Sequence, residues 1–86
     1  MPERQSVTLD VDDIDHLTIR RRRGQDFDCG LARVYIRRSF GVYPETHKAN
    51  PRLAADYSAI EEAGEQELYD TLVAIRTVLM RSVGLA

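Results

Sequence analysis

The chain has 86 residues, a formal net charge of −2, 43% hydrophobic residues and 30% charged ones, a globular composition with room for one domain (residues 1–86) that excludes disordered and fibrous classes. Its single cysteine, Cys29, rules out an internal disulfide and fits a reducing compartment. No apolar run approaches the length of a membrane span, and the first residues lack the basic and then apolar pattern of a secretory signal, so a cytoplasmic protein with no membrane partner is expected.

Ser6-Val7-Thr8-Leu9-Asp10-Val11 alternates strictly, with Val7, Leu9 and Val11 on one side, the pattern of a half-buried strand. Asp12-Asp13 then suggests a turn, because short acidic side chains bond to nearby backbone and disfavour strand interiors. Ile14, Leu17, Thr18 and Ile19 form a second expected strand that runs into four consecutive arginines, with Gly24-Gln25-Asp26 as the next turn. Leu31 to Arg37 fits period two, with Ala32, Val34 and Ile36 inward and Arg33, Tyr35 and Arg37 outward. It also fits a short helix with Leu31, Val34, Tyr35 and Arg38 along one side. Adjacent Val, Tyr and Ile favour the strand.

Gly41 to Lys48 reads as a loop, since Tyr43 precedes Pro44 and is pushed out of helical geometry. Asn50-Pro51 marks a helix start, an asparagine cap followed by proline at the first helical position. From there to Val83 only Gly64 interrupts, and Gly84 is placed to terminate. Leu68, Leu72, Ile75 and Leu79 step by four, three and four, flanked by Tyr69, Val73, Met80 and Val83, so the second part carries a broad apolar stripe. An unbroken helix over 51–83 would be about 50 Å long, against a radius of gyration of about 12 Å for a compact chain of this size. One long kinked helix or two helices broken near Gly64 are therefore expected. The fold class predicted is α+β: about three antiparallel strands within residues 6–40, packed against a helical segment over 50–83. Three short strands cannot cover so wide a stripe, so a homodimer through Leu68, Leu72, Ile75, Leu79 and Val83 is expected.

Charge is sorted along the chain. Residues 1–17 carry five acids against one arginine, residues 18–52 nine Lys/Arg against three acids, and residues 53–86 six acids against two arginines. A basic middle between acidic ends can bind an external polyanion, or its own acidic flanks or those of a second copy can consume it. In a strand, Arg20 and Arg22 would share an outer face with Arg33, Tyr35 and Arg37, while Arg21 and Arg23 would project at a hairpin tip. Such a face, basic with one aromatic, is a candidate contact for phosphates and a stacked base, or for an acidic protein. Glu61, Glu62 and Glu65, around Gly64, are a candidate contact for a basic partner. Each cluster reads first as an ordinary solvated surface and only second as a contact.

Catalytic and metal signals are thin. Asp10-x-Asp12-Asp13-x-Asp15 beside His16 lacks the glycine and terminal glutamate of a calcium loop, and there is no Cys-x-x-Cys or His-x-x-x-His. Cys29-Gly30 has no histidine that spacing places near it, and Gly24, Gly30 and Gly41 match no phosphate-binding pattern. The expectation is a non-enzymatic protein-interaction module without cofactor or metal (an adaptor, an inhibitor or regulator, or a subunit of a larger assembly), with nucleic-acid binding through the Arg20 to Arg38 face as the alternative.

Overall fold

The computed structural model describes residues 9–43, 45, 50–82 and 84. Among these residues there is no strand; the elements are helices α1 (Val11–Arg22), α2 (Cys29–Val42), α3 (Pro51–Ala55), α4 (Tyr57–Glu62) and α5 (Glu65–Ser82). The expected α+β fold with an antiparallel sheet is thereby overturned: the protein is a small all-helical one. Of the expected first strand, residues 6–8 lie outside the described residues. Leu9 is buried, Asp10 is a cap and Val11 is the first residue of α1.

The reason is local. The Asp10 side chain accepts a hydrogen bond from the Asp13 amide at 3.1 Å, and the Asp13 carboxylate accepts one from the Asp10 amide at 3.2 Å. This reciprocal box satisfies two amides that a helix start leaves unpaired, so the acids expected to make a turn instead begin a helix. Leu9 and Ile14, just before the cap and four residues into the helix, are both buried in the core, the positions of a hydrophobic staple. At the other end, Gly24 adopts φ +74°, its amide bonds to the Arg21 carbonyl at 3.0 Å, and the Gln25 amide bonds to the Arg20 carbonyl at 2.8 Å. That left-handed glycine is a helix terminator, not a hairpin turn. The expected second strand is likewise helical: α1 buries Ile14, Leu17 and Thr18, a spacing of three and four.

The third expected strand is α2. Asp28 caps it by accepting from the Leu31 amide at 3.0 Å, and Ala32, Ile36 and Ser39 are its buried residues, four and three apart. Of the expected inward set Ala32 and Ile36 are buried but Val34 is only half-buried, and of the alternative helical face Leu31, Val34 and Tyr35 are half-buried and Arg38 is exposed. Beta-branched residues lower helix propensity by only a few tenths of a kcal/mol each, so the Asp28 cap and a buried helical face outweigh them.

The chain enters α3 at Asn50-Pro51, leaves helical geometry at Asp56, and does so again at Ala63 before α5. Asp56 caps α4, accepting from the Ser58 amide at 2.9 Å and its hydroxyl at 2.6 Å. The longest dimension of the fold is 38 Å, shorter than a straight helix over this segment would be. Helices α1 and α2 both pack on α5, and α4 contacts α2 and α3. Leu68, Leu72 and Ile75 have no exposed surface and Leu79 only 3%, so α1 and α2 supply the cover that a second copy was expected to provide. Val83 lies outside the described residues. The stripe no longer gives a ground for a dimer.

Candidate functional site

The arginine run falls in the last turn of α1, where positive side chains complement the negative end of the helix dipole, as Asp12 and Asp13 complement the start. Part of the charge sorting is therefore helix architecture. Long-range pairing absorbs much of the rest. Arg21 binds Glu65 (Nε to Oε2, 2.9 Å) and Gln66 (Nη2 to Oε1, 2.6 Å), and its guanidinium lies 4.4 Å from the Tyr69 ring centroid. Arg37 pairs with Glu61, Arg52 with Glu67, and Arg76 with Asp15 at 2.5 Å. Half-exposed pairs of this kind add little to stability, because solvent screens them. Their main effect is to remove charges from the surface that a partner would meet.

Arg33 has another role. Its Nε donates to the Ile60 carbonyl and its Nη2 to the Ala63 carbonyl, both at 3.1 Å, so a single guanidinium closes the C-terminal end of α4. Arg20 donates to the Asp26 carbonyl at 2.9 Å. Tyr35 is half-buried against the core, and burial, with the Asp13 carboxylate adding to it, raises its phenol pKa. The residues expected on one basic face are thus distributed: Arg33 and Arg37 reach α4, Arg20 turns back to the Asp26 carbonyl, and Tyr35 lies toward the acidic start of α1, while Arg21, expected at a projecting tip, reaches α5. Of the acidic candidates, Glu61 and Glu65 are engaged by Arg37 and Arg21, and Glu62 is exposed.

Acids have comparable internal assignments. Hydrogen bonds from Ser58 hold the Asp56 carboxyl below its ordinary pKa, and the Arg52 hydrogen bond does the same for Glu67. Asp15 strengthens the proton affinity of the Arg76 guanidinium, which also donates to the Met80 sulfur at 2.9 Å. Among the described residues no three His, Cys, Asp or Glu side chains converge as metal ligands would. No helix among them is long and apolar enough to cross a membrane. Cys29 is the first residue of α2 and half-buried.

Between α1 and α5 lies a groove of about 270 Å³, lined by Asp15, Thr18 and Arg22 on one side and Tyr69, Val73 and Arg76 on the other. The Asp15–Arg76 pair bridges the two helices. Tyr69 is held by Arg21 over its ring and by Phe27, whose ring meets it edge-on at a centroid distance of 6.2 Å and 72°. Val73 is 41% exposed although it sits next to a buried stripe. Arg22 is exposed and forms no ion pair or hydrogen bond with any of the described residues. Asp15, Thr18, Tyr69, Val73 and Arg76 were not sequence candidates. Tyr69 and Val73 read there as extra width of the apolar stripe. Their spacing of four, offset by one residue from Leu68 and Leu72, was the available sign of a second face.

No family model matches the chain, and no match is found among curated proteins or solved structures.

Proposed function

We propose that the chain is a small non-enzymatic protein-interaction module that engages its partner through the groove between α1 and α5. The observation that carries this reading is the contrast between Arg22 and its neighbours. Arg20, Arg21 and Arg76 are engaged within the fold, whereas Arg22 is left without a partner among the described residues beside the exposed Val73. An apolar anchor beside one uncommitted charge is the composition of a protein contact: burial supplies affinity and the charge supplies orientation. The groove is open and smaller than the roughly 300 Å³ at which small-molecule pockets begin, which favours a side chain of a partner over a free substrate. Dispersal of the basic residues over separate contacts argues in the same direction, because polyanion binding relies on many cations along one track.

The test is site-specific photo-crosslinking in the native host. A crosslinking residue at position 73 is expected to give a discrete protein adduct that the same residue at exposed position 62 does not, and Arg22→Glu is expected to abolish it. Duplex or single-stranded nucleic acid binding to the wild-type chain at low salt, falling steeply as salt is added, would overturn the reading in favour of a nucleic-acid module.

A further inference from the structure

The lining of the groove narrows the chemistry of what it accepts. Two guanidiniums and one carboxylate face it, and the Asp15–Arg76 pair neutralises one of each. One positive charge, Arg22, is left over. It is not needed to close α1, because the Gly24 and Gln25 amides already satisfy the Arg21 and Arg20 carbonyls. Beside it, Val73 exposes aliphatic surface and Tyr69 forms a wall whose position Arg21 and Phe27 hold. The charge complement of this lining is a single carboxylate next to an aliphatic side chain.

We infer that the occupant is an acidic-aliphatic peptide segment of a partner protein, its Glu or Asp carboxylate paired with Arg22 and a neighbouring Leu-like side chain packed on Val73 and Tyr69. This rests on the groove being the docking face proposed above. A basic segment is disfavoured because it would meet Arg22, which has no ion-pair partner among the described residues. A phosphate backbone is disfavoured because it presents charges in series, whereas the lining offers one cation, Arg22, that has no ion-pair partner among the described residues. The peptide carboxylate takes its place without displacing either internal ion pair, since Arg22 is the group with unused donors.

The probe is an acetylated, amidated hexapeptide with one carboxylate, Leu-Gln-Leu-Leu-Glu-Leu, titrated into the isotope-labelled full chain and followed by amide chemical shifts. Shifts centred on Thr18, Tyr69 and Val73 are expected, with the Gln-for-Glu peptide binding about tenfold more weakly, as loss of one charge-assisted pair implies. Arg22→Gln is expected to lower affinity for the Glu peptide by a similar factor and to erase the difference between the two peptides. Arg38→Gln, which removes an exposed arginine on α2 that makes no ion pair among the described residues and does not line the groove, is expected to leave binding unchanged. Equal affinity of the two peptides, equal loss in the Arg38→Gln variant, or stronger occupation of the same amides by a single-stranded hexanucleotide would each overturn the inference. Absence of peptide binding while the position-73 adduct persists would reject the acidic segment and leave the interaction module standing. Absence of both would reject the two together.

Discussion

Helices α5 and α1 lie against each other but are secured in different ways. Helix α5 buries one continuous row, Leu68, Leu72, Ile75 and Leu79, and Thr71 beside it satisfies its hydroxyl on the Glu67 carbonyl at 2.8 Å. Helix α1 buries only Ile14, Leu17 and Thr18, and much of its remaining attachment is polar: a capping box, a glycine-closed end, and cross-links from Arg21 and Asp15 to α5. A helix with an apolar row is stabilised wherever that row is covered. A helix with few buried residues depends on its ends and on partners distant in the chain. The same distinction leaves the groove between the two helices half polar and available, while the opposite side of α5 is closed.

The sharpest way to break this contrast is Leu72→Ala, which leaves a cavity at a site with no exposed surface and is expected to cost about 2–5 kcal/mol, measured by denaturant unfolding. Arg33→Met, which keeps an unbranched apolar stem and removes both donors to α4, is expected to cost about 1.5–3 kcal/mol. Hydrogen exchange should localise that loss to residues 57–64; a loss spread evenly over α5 would contradict the capping role. Asp10→Ala removes the box at α1 and is expected to cost about 0.5–2 kcal/mol, with Asp10→Asn recovering most of it because asparagine also caps.

The smallest effect is a pH dependence. The folded pKa values of Glu67 and Asp56 lie below their ordinary values of 4.5 and 3.8. The unfolded chain therefore binds protons first as pH falls, and both contributions are fully present above those values and lost on further acidification. Glu67→Gln is expected to flatten the acid side of a Tm-against-pH curve slightly. An unchanged curve would mean that the Arg52–Glu67 pair forms no differently in the folded and unfolded states.

Much of α5 and the helix start at Asn50-Pro51 could be read directly, since an aliphatic row at steps of four, three and four has one regular conformation that places it on a single face. The same reading failed for α1 and α2. Val11, Ile14, Ile19, Val34 and Ile36 carry strand-favouring side chains, and their weight hid the caps at Asp10, Asp28 and Gly24. Asp10-x-x-Asp13 is the reciprocal box in the aspartate form, and Ile14, Leu17, Thr18 and Arg21 repeat at helical, not alternating, steps. Both signals were present and were assigned to turns and strands.

The candidate site was less accessible still. Arg21 reaches Glu65 across 44 positions and Arg76 reaches Asp15 across 61, and no local pattern encodes which arginine is consumed and which is left free. Local chemistry determined where helices begin and end and which row of α5 is apolar, because capping and periodicity act within a turn or two of the chain. The pairing of the arginines, the covering of the α5 row from within, and the groove with an Arg22 that has no partner among the described residues were decided only when the helices met, because charge neutralisation and burial depend on distance in space and not along the sequence.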